Sequence, residues 1–137
     1  MTIEIKKEIV DLQSFKELRN SVGWPLPPDQ SIEISLRNTE FCIAAYVDSV
    51  LVGMGRIVGD KGFVYFIADI IVKPEYQGKK IGAKIMDSIM LYLEENAPKN
   101  SYITLMAAKG KEGFYEKFGF FKRPTEKFGC GMMIELR

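Results

Sequence analysis

Val72-Lys73-Pro74-Glu75-Tyr76-Gln77-Gly78-Lys79-Lys80-Ile81-Gly82-Ala83 is the stretch from which the fold of this chain is read. Just before it lies Phe63–Val72 (FVYFIADIIV), apolar almost throughout, as expected of a central strand covered on both faces. Its one charge is Asp69. Pro74 stops the strand. From Gly78 to about Glu95, Ile81, Ile85, Ile89 and Leu93 recur every four residues, with Met86 and Met90 widening the stripe, so a helix is predicted. A buried strand that turns into a helix opening on glycines suits an anion. The first N–H groups of a helix lack intrahelical partners, the helix dipole adds positive charge there, and glycines let a phosphate approach the backbone. Lys79, Lys80 and Lys84 add cations with no acid among them. On the residues alone, an ordinary helix start with solvated lysines reads equally well. The spacing is neither Gly-x-x-x-x-Gly-Lys-Ser/Thr nor Gly-x-Gly-x-x-Gly.

Working outward, residues 2–9 alternate as a strand, and Asp11 is placed to cap a helix carrying Leu12, Phe15 and Leu18. A second helix is predicted from Asp29 to Arg37 after the loop Pro25-Leu26-Pro27-Pro28. Phe41–Val47 and Val50–Val58, joined at Asp48-Ser49, form an antiparallel hairpin, and Gly59–Gly62 turns the chain again. Ser101–Ala107 reads as a strand parallel to Phe63–Val72. Lys111–Phe118 reads as a short helix, with Phe120-Phe121 and Met132–Leu136 as closing strands. Met54, Met132 and Met133 are expected in the core. The order is β-α-α-β-β-β-α-β-α-β-β, a mixed α/β arrangement over residues 1–137 read as a single domain.

Composition narrows the chemistry. With 47% hydrophobic residues and a net charge of +1, the chain can bury a core and lacks the bulk basic surface that nucleic acid requires. It has no histidine, which removes Ser-His-Asp and Cys-His catalysis and any His-containing zinc site. Cys42 and Cys130 cannot make a thiolate cluster, so no metal is expected. Cys42, between Phe41 and Ile43, reads as an inert core thiol. No segment approaches the about 20 apolar residues of a membrane span. MTIEIKKEIVD is unlike a signal peptide, and a soluble, reducing, cytoplasmic setting is expected.

Asp69-Ile70-Ile71-Val72 followed by Lys-Pro-Glu-Tyr-Gln-Gly-Lys-Lys-Ile-Gly resembles the acetyl-CoA signature of the GNAT superfamily of N-acetyltransferases. That signature reads Arg/Gln-x-x-Gly-x-Gly/Ala after a strand. Gln77 and Gly82 match its outer positions, and Lys80 stands where glycine is usual. Gly113-Phe114-Tyr115-Glu116-Lys117-Phe118-Gly119-Phe120 is similar to the family's Phe-Tyr-x-Lys-x-Gly-Phe. The resemblance implies a mostly antiparallel central sheet flanked by helices, with a splayed parallel strand pair. It implies direct transfer of acetyl from acetyl-CoA, as cosubstrate, to a primary amine in a ternary complex.

Residue by residue, the pantetheine arm would lie along Ile70, Ile71 and Val72, with the Ile70 N–H polarising the thioester carbonyl. Gln77, Gly78, Lys79, Lys80, Ile81, Gly82 and Ala83 would hold the diphosphate. Tyr115 would protonate the leaving thiolate, Phe114 would pack on the cofactor, and Lys117 would reach the adenosine phosphates. Trp24 would cover the acceptor. The family often carries its general base nine or eleven residues before the Arg/Gln, and those positions here are Ala68 and Phe66, which cannot act. They lean toward a small acceptor of low charge. Asp69 is the nearest carboxylate; regular pleating points it to the other face, and a β-bulge at the splay would re-aim it as base or substrate anchor. Glu33 and Glu40 are other bases to consider. The partner expected is a small-molecule amine, with no nucleic acid and no membrane; a homodimer is in keeping with relatives. A non-catalytic acyl-CoA-binding module is the alternative.

Overall fold

The hairpin registers set the sheet, and the computed structural model describes them over all 137 residues. β1 (Ile3–Lys7), β2 (Phe41–Val47), β3 (Val50–Gly59), β4 (Val64–Val72) and β5 (Tyr102–Leu105) line up in sequence order in one five-stranded sheet. The first three pairings are antiparallel and β4–β5 is parallel. This is the mixed, mostly antiparallel α/β sheet that the sequence implies. The helices are α1 (Leu12–Ser21), α2 (Asp29–Arg37), α3 (Ile81–Asn96) and α4 (Glu112–Glu116). The chain divides into two compact units, Met1–Met106 and Ala107–Arg137.

In the first unit, Asp11 caps α1 by accepting from the Ser14 N–H at 2.8 Å, a bond worth about 1 kcal/mol. Val10, Phe15, Leu18, Ile32 and Leu36 bury themselves against Cys42, Ala44, Met54 and Ile71 of the sheet. On the other side α3 packs across β2, β3 and β4 with Ile81, Ile85, Met86, Ile89 and Leu93 inward. There, glycine lets strand and helix approach. A Cβ on Gly55 would lie 2.6 Å from Ile70 Cδ1 and 2.7 Å from Ile85 Cγ2.

Two expectations fail. The helix begins at Ile81 instead of Gly78, because a 3₁₀ turn at Pro74–Tyr76 and a left-handed residue at Lys80 (φ 66°) intervene. The closing strands at Phe120-Phe121 and Met132–Leu136 are not formed. Met132 (88% exposed) and Met133 (72%) are not core filler, and Ile134 and Leu136 are exposed with them. An apolar run makes a strand only where a neighbouring strand completes its hydrogen bonds, and the sheet order ends at β5. In the second unit, the Thr125 N–H donates to the Phe128 carbonyl at 2.8 Å instead.

Candidate active site

β4 is the element that positions the chemistry, through two irregularities. The first is a bulge. Met54 pairs with Ile71 but Arg56 pairs with Ala68, so Gly55 alone faces both Asp69 and Ile70. Asp69 absorbs the extra residue in left-handed backbone (φ 53°), which aspartate tolerates better than most side chains. Directly opposed residues share a face, so Ala68 lies on the Arg56 side. The Asp69 carboxylate meets Arg56 on that side, so the bulge has re-aimed it.

The second irregularity is where β4 and β5 part. Their ladder runs from Val64↔Tyr102 to Ile67↔Leu105 and stops, while β4 continues to Val72. The Lys73 N–H donates to the Val52 carbonyl across β3 at 2.8 Å. By strand alternation, Ile70 and Val72 therefore send their N–H groups the opposite way, to the open edge. Gln77 Nε2 donates to the Val72 carbonyl at 2.9 Å, tying the following turn to the strand end.

That turn leads into an uncapped helix. No side chain caps α3, and the first intrahelical bond runs from the Lys84 N–H to the Lys80 carbonyl. The N–H groups of Ile81, Gly82 and Ala83 precede it. Lys79, Lys80 and Lys84 are exposed and form no ion pair. Ile81 contributes backbone only, since its side chain is buried. The left-handed φ at Lys80 supplies a physical reason why glycine suits this position. Lys80→Gly is expected to stabilise the fold by up to about 1 kcal/mol. The left-handed penalty of about 1–2 kcal/mol outweighs glycine's extra chain entropy of about 0.5–1. Urea unfolding measures this.

Asp69 is the centre of a buried ionic cluster. Arg19 Nη1 donates to Oδ1 at 2.6 Å and Arg56 Nε to Oδ2 at 2.7 Å, and the Asp69 side chain is 6% exposed. Arg56 also donates to Thr39 Oγ1 and Ser35 Oγ, both at 3.1 Å. Arg19 donates twice to the Pro25 carbonyl, fixing the α1–α2 loop. A cavity of about 250 Å³ opens here between α1, α2 and the bulge. Trp24 does not line it; the Trp24 ring lies 5.4 Å from the Arg19 guanidinium and packs at the edge of the core.

Arg19 and Arg56 are the residues the sequence reading missed. Arg56 had a signal: it is the one charge in Val50–Val58, as Asp69 is in the neighbouring strand, and lone opposite charges on paired apolar strands are expected to meet. Arg19 had none, being indistinguishable from a solvated helix cation. The alternative bases differ in setting. Glu33 is exposed, whereas Glu40 accepts from the Tyr92 hydroxyl at 2.8 Å. Cys42 is buried, which pushes its thiol above the ordinary value.

The second unit holds Phe114, Tyr115 and Lys117. The Tyr115 ring packs edge-on against Phe114 (5.0 Å) and Phe120 (6.4 Å). Burial pushes its phenol above the ordinary value, so it stays protonated through neutral pH. Lys117 is exposed at the end of α4.

Known proteins share this architecture. The profile described as "Acetyltransferase (GNAT) domain" matches residues 26–132. The uncharacterized N-acetyltransferase ycf52 of Pyropia yezoensis is 32% identical over 119 residues, covering 84% of this chain and 67% of that protein. Histone acetyltransferase TAP1 of Glycine max is 30% identical, but the match covers only 54% of its length. The crystal structure of SA2161, a probable acetyltransferase from meticillin-resistant Staphylococcus aureus, superposes with a TM-score of 0.88. It is 34% identical, with 98% of this chain and 99% of that one covered. The GNAT family protein SP0256 from Streptococcus pneumoniae TIGR4 gives 0.82 at 27% identity, over 99% and 100% of the two chains. The profile spans most of the sequence and the relatives agree with it: this chain belongs to the GNAT family of acetyltransferases.

Proposed function

We propose that this acetyltransferase moves acetyl directly from acetyl-CoA to a primary amine within a ternary complex. The observation that carries the reading is the β4 edge left unpaired beyond Ile67, running straight to the uncapped start of α3. An extended amide-bearing arm can add to such an edge as a further strand, and a diphosphate fits free helix N–H groups beside unpaired lysines. The cosubstrate supplies an already activated thioester.

The chain's own part is binding, orientation and proton handling. The Ile70 N–H donates to the carbonyl oxygen as it gains charge during attack by the amine nitrogen. The C–S bond breaks as the N–C bond forms, and Tyr115 gives its proton to the departing thiolate. Tyr115→Phe is expected to lower kcat by roughly tenfold to a hundredfold with CoA affinity nearly unchanged, since a phenol that burial holds above its ordinary value is a weaker acid than the thiol it protonates and gives modest acid catalysis. Steady-state kinetics beside CoA titration separate the two. Asp69 acts as an anchor in this reading: both its oxygens already accept from guanidiniums, so the amine loses its proton to water. Phe114 and Lys117 contact the cosubstrate, and Trp24 borders the acceptor loop. A reducing, cytoplasmic setting belongs to the same proposal and agrees with the unpaired Cys42 and Cys130.

The apolar Phe66 and Ala68, where relatives often place a base, favour a second reading as an acyl-CoA-binding module. An amine panel incubated with acetyl-CoA decides. Thiol release supports transfer; a CoA-dependent rise in melting temperature with no release from any amine supports the module.

A further inference from the structure

Two arginines and one aspartate face the cavity between α1, α2 and the β4 bulge, which leaves it one positive charge in excess. Each guanidinium makes three hydrogen bonds within the protein, to Asp69 and Pro25 for Arg19 and to Asp69, Thr39 and Ser35 for Arg56. A guanidinium carries five N–H donors, so each keeps donors to spare. The cavity is also lined by Ser31 and Ser35, by Phe15, and by no acid other than Asp69. Ser31 lies in the first turn of α2, whose cap residue Pro28 makes no side-chain hydrogen bond; Asp29 at that end is paired with Lys16 at 2.9 Å.

We infer that this cavity recognises an acceptor amine by an anionic group, carboxylate or phosphate, carried on the same molecule; this rests on the acetyl-transfer reading above. The charge balance argues for it. An alkyl amine enters as its ammonium, so a simple amine adds to the cavity's excess positive charge, whereas an acceptor that also carries an anionic group offsets it. A polyamine would bring further cations toward Arg19 and Arg56 and is disfavoured. Phe66 and Ala68 alone point to an acceptor of low charge, but the groups that line the cavity are the two guanidiniums. Planar guanidiniums match carboxylate and phosphate oxygens in pairs. The volume of about 250 Å³ suits a small metabolite.

The test uses matched pairs on the wild-type protein: propylamine against β-alanine, and ethanolamine against O-phosphoethanolamine. Trp24, the single tryptophan, lies 5.4 Å from the Arg19 guanidinium, so its fluorescence reports occupancy without turnover. The anionic member of at least one pair is expected to bind roughly tenfold to a hundredfold more tightly, the range of hydrogen bonds to charged groups. Which pair shows it tells carboxylate from phosphate. Arg19→Gln is expected to erase the preference while leaving CoA affinity unchanged. Equal or tighter binding of the member that lacks the anionic group in both pairs overturns the inference, with no variant needed. Thiol release from acetyl-CoA is read alongside: anion-selective binding without release from any amine leaves this inference standing and removes acetyl transfer.

Discussion

Asp69→Asn is expected to lower the unfolding free energy by about 3–5 kcal/mol, the usual result of removing one partner from a buried ion pair. Arg56 is left with a buried charge, since its side chain is only 10% exposed. Arg19, at 19%, loses less. Asparagine is the informative replacement because it tolerates the left-handed backbone at this bulge nearly as well as aspartate, so the loss reports charge and not strain. For a domain of this size that is roughly 10–20 °C in melting temperature. Guanidinium or thermal unfolding measures it. A loss below about 1 kcal/mol would show that the cluster is solvated and contributes little, as surface pairs do. The same variant examines the chemistry at a temperature where it remains folded. If Asp69 anchors and does not deprotonate, the acid limb of the pH dependence of kcat/KM keeps its position. A displaced or vanished limb makes Asp69 the base.

How much of this was legible depended on whether the signal was local. α2 from Asp29 to Arg37 and β2 from Phe41 to Val47 match their sequence bounds, because a proline before the helix, periodicity and a tight turn at Asp48-Ser49 are written in neighbouring residues. The open β4 edge was expected from the resemblance, and the register of β4 with β5 shows it. The bulge was conditional in the sequence: nothing in FVYFIADIIV says that Asp69 takes a positive φ. The Asp69 partners are separated from it by 50 and 13 positions, and only the register of β3 and the seating of α1 bring them together. Lys80 misled for a related reason. A lysine following glycine and lysine looks like a helix's first turn, and the sign of its φ is set by the loop it closes. Met132–Leu136 carried an apolar run like a strand's, without a partner in the sheet order to pair with.

Gly82→Glu should abolish CoA binding without harming the fold. Gly82 is the second residue of α3, half-buried, and within the first turn, where N–H groups are free. Two local effects favour the substitution in the free protein. Glycine inside a helix costs about 1 kcal/mol against better helix formers, and a carboxylate near a helix N-terminus gains about 0.3–1 kcal/mol from the dipole. The melting temperature is therefore expected to stay level or rise. Binding is penalised by the same placement. One unit charge about 5 Å from another, at an effective dielectric near 20, is repelled by about 3 kcal/mol, or two orders of magnitude in affinity for each diphosphate charge so placed. The new carboxylate also occupies the N–H groups that the diphosphate would use. Isothermal titration with CoA gives the affinity and calorimetric unfolding gives the stability. Lost binding with stability retained locates the diphosphate at residues 77–83. Unchanged affinity would move it elsewhere, and the open edge of β4 would then have no reason to face a cosubstrate anchored at this helix.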